Sequence, residues 1–312
     1  MKKRMLYALL SVFFVAGCTG EEITNESTEQ IEVTDTKNQT VQVPADPKRV
    51  GVFDNAQIDN MDALGLGERI VVTASSQLPA YLKAYEAVEV AGTLHEVDLE
   101  IAMSTQPDLA IVASRSASSY ELLSEFIPTV DLSLTAANTF QSLQENLRVM
   151  ATIFSKEKEA EQLIEKLEEE KQELSEQAEA SELTALMVMY NGGSLSAFGP
   201  SSRFGHVYDD FGFTPIDENI DRSNHGMEIS YEYILQKDPD VVFVLDRSSA
   251  ISEGENVEPA INHFEENPLL EATTAFEKEA IYYLTPDAWY LSNGGAQAYQ
   301  IMMDDVWKVF QE

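Results

Sequence analysis

The sequence predicts an α/β protein of two similar lobes, each a parallel-type sheet flanked by helices, joined by one long rigid helix. Three observations predict it. Short apolar runs alternate with helical segments in both halves, as strand–helix–strand units require. A segment of seventeen positions recurs at an offset of 132 residues. Between its two copies lies a charged stretch without Gly or Pro.

Taken in order, Met1 to Arg4 is a basic n-region and Met5 to Ala16 an apolar run of twelve residues. Spanning a bilayer needs about 20 residues, so the run reads as a secretory signal. It ends Val15-Ala16-Gly17-Cys18, which resembles a bacterial lipoprotein signal, with Cys18 lipidated as the new N-terminus. Glu21 to Thr40 is polar and acidic, as a tether would be. Within it, Ile31 to Val33 alternates apolar and polar residues, as does Val41 to Val43, and the two suggest a hairpin around Thr-Lys-Asn. Val50 to Phe53 is a strand ending at Asp54, Asp59 to Leu66 a helix stopped by Gly65 and Gly67, and Ile70 to Thr73 the next strand.

Leu99-Glu100 through Pro107-Asp108 to Arg115 aligns without gaps on Tyr231-Glu232 through Pro239-Asp240 to Arg247. Each copy reads as a helix, a Pro-Asp turn, a buried strand and an Arg at the strand's C-terminal end. Phe140 to Phe154 carries Leu143, Leu147, Met150 and Phe154 at helical spacing, and Ser155 reads as the N-cap of a second helix over Lys156 to Ala180. The apolar stripe of that helix lasts under three heptads, so it reads as a strut between lobes and not as a coiled coil. The organisation expected is a signal peptide (1–17), a flexible acidic tether (18–40), an N-terminal lobe (41–155), the linking helix (156–181) and a C-terminal lobe (182–312).

Composition narrows the function. The 312 residues hold 20 Lys and Arg against 54 Asp and Glu, a net charge of −34. Loss of residues 1–17 would leave 17 cations against 54 acids, or −37. Nucleic-acid binding needs clustered cations and is excluded as an expectation. A single Cys makes no internal disulfide and no Cys-based zinc site. No Gly-x-Ser-x-Gly or phosphate loop is present, and His95, His206 and His263 have no metal spacing.

Ligands of open parallel α/β sheets sit outside the C-terminal strand ends. Arg115 and Arg247 fall there, and Arg203 lies in Gly199-Pro-Ser-Ser-Arg-Phe-Gly205 after the second lobe's first strand. The chain has eight Arg, of which Arg148 and Arg222 read as surface scatter. Guanidinium groups suit oxyanions and stack on aromatic faces. His225 and Tyr290 lie in loops and on chemistry alone read as structural.

The lipoprotein signal, Val50-Gly-Val-Phe-Asp54, Met61 to Val71, the paired Pro-Asp strands and the long helix resemble the helical-backbone (class III) substrate-binding proteins of ABC importers. Within them, Gly199 to Gly205, Ser223-Asn-His-Gly226 and Trp289-Tyr290 are similar to the lipoproteins that bind catecholate-type ferric siderophores, the petrobactin type among them. The resemblance implies a periplasmic-binding-protein-like fold and an Arg triad in the cleft at Arg115, Arg203 and Arg247. It implies His225 and Tyr290 as Fe(III) ligands when a bis-catecholate leaves two coordination positions, and Glu100 and Glu232 as docking residues for the permease. After Asp54 many relatives carry an aromatic residue where this chain has Asn55.

The expectation is therefore a non-enzymatic, monomeric, extracytoplasmic receptor, lipid-anchored to the cell membrane. It would have no intrinsic cofactor and would pass a ferric siderophore to an ABC permease and its ATPase. The alternatives are a hydroxamate siderophore, haem or cobalamin as ligand and, from another class, an exported enzyme or surface adhesin.

Overall fold

The computed structural model describes residues 29–74, 77–135, 138–220, 223, 225–252 and 258–311. Cys18 and the signal segment lie outside the described residues, as does Arg222. Among those described, no helix is long and apolar enough to cross a membrane.

The chain enters through an antiparallel hairpin, β1 (Gln30–Thr34) and β2 (Thr40–Pro44). Residues 30–40, within the expected tether, are thus hairpin. Asp35, almost fully buried, accepts from Lys37 N and Gln39 N (both 2.9 Å) and shapes the turn. The hairpin docks on the N-lobe because Thr36 N–H donates to the Asp131 carbonyl at 3.0 Å.

The N-lobe sheet is wholly parallel. Its strands are β3 (Val50–Val52), β4 (Ile70–Thr73), β5 (Glu89–Val90), β6 (Leu109–Val112) and β7 (Thr129–Asp131), in the order β5-β4-β3-β6-β7. Its helices are α1 (Asn55–Ala63), α2 (Leu99–Ser104) and α3 (Tyr120–Ser124). Helix α1 starts four residues earlier than the sequence suggests, because Asp54 caps it by accepting from Ala56 N and Gln57 N. It ends as expected: Gly65 sits at φ +70°, with Leu66 N bonded to Met61 O and Gly65 N to Asp62 O.

Helices α4 (Thr139–Phe154) and α5 (Glu157–Ser181) follow. Ser155 is not the N-cap of α5. It adopts the left-handed conformation (φ 54°) that terminates α4, and α5 begins without a side-chain cap. Arg148, read as scatter, joins the two helices through a bidentate pair with Glu161 at 2.8 and 3.2 Å.

The C-lobe contains β8 (Thr184–Asn191), β9 (Ser194–Phe198), α6 (His206–Asp209), β10 (Thr214–Pro215), β11 (Met227–Ile229), α7 (Tyr231–Lys237) and β12 (Val241–Asp246). It continues with α8 (Arg247–Ile251), α9 (Ala260–Glu265), α10 (Thr274–Glu277), β13 (Ile281–Tyr283) and α11 (Ala296–Trp307). The main path is β11-β9-β8-β12-β13, with β10 beside β8. This sheet is mixed: β8, β12 and β13 are parallel, whereas β9 runs antiparallel to both its neighbours, β8 and β11. The reversal is local, since Gly192 and Gly193 both have positive φ and close a two-residue turn between β8 and β9.

The 132-residue repeat has a physical basis. Asp108 accepts from Lys48 N and Arg49 N (2.9 and 3.0 Å), fixing the start of β3 beside β6. Asp240 accepts from Thr184 N (3.1 Å), fixing the start of β8 beside β12. The same residue sets the same strand register in each lobe.

Period-two alternation assigns the strands' two faces to different cores. In β12, Val242 and Val244 face the outer C-lobe cluster, while Val241, Phe243 and Leu245 join a central one. That central core is continuous across the molecule, from Val52 and Ile111 through Leu147 and Leu167 to Met187, Phe243 and Met302. The lobes are therefore joined by packing as well as by α5, and α11 crosses back to pack on α1.

Burial pushes Asp59 and Asp210 up to about 6. A carboxyl with a folded pKa above its unfolded value of 3.8 takes up protons on folding, so its contribution falls as pH rises from about 4 to about 6. Self-repulsion at high negative charge acts in the same direction. Asp54 is raised in the same way, and the three carboxyls outweigh buried His206, whose lowered pKa acts oppositely below about pH 6.5. The urea midpoint is therefore expected to be higher at pH 5.5 than at pH 7.5, with Asp59→Asn reducing the difference. A midpoint that rises with pH would contradict this.

Candidate functional site

A cleft of about 510 Å³ lies between the lobes. The N-lobe lines it with Lys37, Asp54, Ser114, Arg115, Ser133 and Thr139, and the C-lobe with Arg203, His225, Tyr290, Leu291 and Asn293. A larger hollow, about 740 Å³, lies on the C-lobe exterior and is lined by Phe264, Phe276, Tyr283 and four Glu. Carboxylates without a cation make it unsuited to an anion.

Tyr290 is the centre of the cleft's geometry. It sits in a one-turn π-helix, Asp287–Leu291. The turn is braced by Asp305, which accepts from Trp289 Nε1 at 3.0 Å and from Thr285 N at 2.7 Å. Three guanidinium carbons surround the phenol ring, at 5.3 Å (Arg115), 4.6 Å (Arg203) and 5.2 Å (Arg247) from its centroid. Arg247 Nε donates to the Tyr290 hydroxyl at 2.7 Å, and Arg247 Nη1 to Asn191 Oδ1 at 2.7 Å. Arg203 Nη2 donates to the Tyr290 carbonyl at 3.2 Å.

The electrostatics follow from this crowding. Burial, then the charges of Arg115 and Arg247, pull Arg203 below its ordinary value. Burial pushes the Tyr290 phenol up, but the Arg247 hydrogen bond and the three guanidinium charges bring it net below the usual tyrosine value. Like charges held this close destabilise the empty cleft and favour an anionic occupant. Of the remaining described Arg residues, Arg49 donates to the carbonyls of Thr105 and Gln106, Arg69 pairs with Asp46, and Arg148 with Glu161. These three described Arg residues outside the triad are thus held by carbonyls or carboxylates away from the cleft.

The structure brings Arg115, Arg203, Arg247, Tyr290 and His225 to one cleft or its edge. His225 is exposed on the lining, and the phenol and imidazole are both candidates to face a bound metal complex. Among the described residues, no group of three or more His, Cys, Asp or Glu is placed to hold a bare metal ion. His206 is buried and stacks on Trp289 with centroids 4.9 Å apart. Burial lowers its pKa to about 3, so it stays neutral and backs the Tyr290 turn as an aromatic filler. Asn55 is buried and donates to Gln77 O at 2.9 Å, so it supports the cleft wall without lining it.

Two charged residues of the lining, Lys37 and Asp54, are not site residues in the sequence-level reading. Lys37 reaches the cleft from the hairpin turn, and the hairpin is placed by its docking on β7 and α4. Asp54 is the one acidic group of the lining, and burial pushes it up to about 6 against the pull of its backbone bonds and of Arg115. Glu100 and Glu232, in contrast, are exposed in the first turns of α2 and α7, outside the cleft.

Comparisons with known proteins identify the family and the fold. Residues 50–288 match the family model described as "Periplasmic binding protein". The petrobactin-binding protein YclQ of Bacillus subtilis (strain 168) is 33% identical over 98% of both chains. Its crystal structure superposes with a TM-score of 0.86 over 91% of this chain and 99% of that one. The ferric-anguibactin-binding protein FatB of Vibrio anguillarum is 31% identical, covering 85% of this chain and 83% of FatB. The catecholate-siderophore binding protein VctP of Vibrio cholerae matches with a TM-score of 0.83 at 31% identity, over 89% and 99% of the two chains. A two-lobed α/β chain with a cationic cleft, matched over most of its length, thus belongs to the periplasmic binding protein family, whose members bind and do not catalyse.

Proposed function

We propose that the protein is an extracytoplasmic lipoprotein that binds a ferric catecholate-type siderophore between its lobes and delivers it to an ABC permease. The observation that carries this reading is the ring of three guanidinium groups around Tyr290. A tris-catecholate of Fe(III) carries charge −3, and three Arg in a partly desolvated cleft offset it. The names of YclQ, FatB and VctP support the same ligand class. Ferric iron is hard and takes oxygen donors in octahedral geometry. A bis-catecholate supplies four, and the lowered Tyr290 phenol and His225 would fill the other two positions.

Cys18 would carry the lipid anchor, and Glu100 and Glu232 would dock on the permease as a symmetric pair, with the receptor acting as a monomer. Hydroxamate siderophores, haem and cobalamin carry less negative charge, so the triad would be in excess for them. The protein is to be incubated with ferric tris-catecholate, ferric trihydroxamate, haem and cobalamin in turn, then gel-filtered. The catecholate chromophore is expected to co-elute in preference to the others; co-elution of another ligand instead would overturn the assignment.

Metal coordination has its own test. His225→Ala and Tyr290→Phe are expected to lower bis-catecholate affinity at least tenfold, with His225→Ala leaving tris-catecholate binding within about twofold; ten-fold is 1.4 kcal/mol. Equal effects of His225→Ala on both chelates would remove the imidazole from the iron shell.

A further inference from the structure

Helix α11 is preceded by Ser292-Asn-Gly-Gly295, and its N-cap, Gly295, offers no side-chain acceptor. The first N–H groups of a helix need partners from outside it. Here the partners come from the other lobe. Asn60 Oδ1 accepts from Ala296 N at 2.9 Å. Asp59 Oδ1 accepts from Gln297 N at 2.8 Å and Asp59 Oδ2 from Ala298 N at 2.9 Å. Asn60 Nδ2 also donates to Gly294 O at 3.3 Å, and the Tyr81 hydroxyl to Asp59 Oδ2 at 3.0 Å.

Both capping side chains are fully buried on α1, so the contact excludes water. A carboxylate against a helix N-terminus is also favoured by the helix dipole. The fit allows no side chain on the opposing backbone: a Cβ on Gly295 would lie 2.3 Å from Asp59 Oδ2. One on Gly294, at φ +100°, would lie 2.4 Å from Leu134 Cδ1, a cleft residue of the N-lobe.

We propose that Asp59 and Asn60 are positioning residues for the cleft. They form a cap in trans that holds the start of α11, and with it the Tyr290 turn five residues before Gly295, in fixed relation to the N-lobe. Arg115 belongs to the N-lobe, whereas Arg203, Arg247 and Tyr290 belong to the C-lobe. The cap therefore sets the 5.3 Å approach of Arg115 to Tyr290 before any ligand arrives. Ordering the two halves beforehand lowers the cost of binding. Its role at the cleft rests on the proposed ligand class; its role in fixing the lobes does not.

The test separates those two. The full chain with Cys18→Ser is labelled with nitroxides at Ser124→Cys and Glu271→Cys, exposed sites on opposite lobes, and the interspin distance is measured without ligand. The parent is expected to give one narrow distribution. Asp59→Asn, from one lobe, and Gly295→Ala, from the other, are each expected to broaden it. Both should weaken binding of ferric tris-catecholate about tenfold, and Arg115→Gln should cost less than twofold within either variant.

Ile234→Val, in the outer C-lobe core, should lower the melting temperature and leave distance and affinity unchanged. A distribution that stays narrow in both cap variants overturns the proposal, as does broadening with unchanged affinity. A parent that binds no ferric catecholate sinks the functional reading, while the distance measurement still decides the cap.

Discussion

Replacing Arg115, Arg203 and Arg247 together by Gln is expected to abolish capture of a ferric catecholate while leaving the fold intact or firmer. Hydrogen bonds to charged groups are worth about 1.5–3 kcal/mol each, and their losses overlap when partners share one ligand. A combined loss of about 4 kcal/mol corresponds to roughly a thousandfold in affinity. Each single replacement should cost about ten- to a hundredfold. The same substitutions relieve the repulsion among three guanidinium groups crowded round one ring, so the melting temperature of the empty variant should equal or exceed that of the parent. Fluorescence quenching of Trp289, adjacent in sequence to Tyr290, reads the first effect and thermal unfolding the second. A triple variant within threefold of the parent's affinity would place the ligand elsewhere.

Replacing Glu100 and Glu232 by Gln is expected to separate binding from delivery. Both are exposed and occupy equivalent positions in the two copies of the repeat, at the N-terminal turns of α2 and α7. Neither lines the cleft, so affinity should stay within about twofold, and their removal costs no buried contact. Uptake of the labelled ferric chelate by cells carrying the double variant should fall to background. Uptake at the parent's rate would end the docking role, and lost affinity would mean that these residues serve the ligand directly.

The repeat explains why so much of this molecule is legible in its sequence. Pro-Asp turns at one offset mark the two central strand pairs, because Asp108 and Asp240 each fix the start of a neighbouring strand. Arg115 and Arg247 are legible for the same reason, since a strand's C-terminal end is where an open α/β sheet presents side chains to a ligand. Arg203, expected after the second lobe's first strand, instead follows β9, which runs antiparallel to it. The first turn of α1 escapes the sequence reading because the buried polar residues Asn55 and Gln57 break its apolar periodicity. Asp59 and Asn60, further along α1, serve a contact with a helix more than 230 positions away, which no local pattern encodes. Lys37 was missed for a related reason, since the hairpin is readable locally but the surface it docks on is not. Ser155 shows the converse limit: a good capping residue at a helix junction can end the first helix instead of starting the second.

The surface charge gives the triad a further meaning. A strongly acidic exterior repels an anionic chelate, with a screening length of about 8 Å at physiological salt. Capture then depends on the local cations of the cleft and not on long-range steering. The most direct measurement is a fluorescence-quench titration of the parent protein with ferric tris-catecholate at neutral pH, repeated with the iron-free catechol. Saturation at one chelate per chain, with a Kd below about 1 µM (about −8 kcal/mol), and no saturation by free catechol is the predicted result. No quenching at that concentration, or equal affinity for the iron-free catechol, would contradict it.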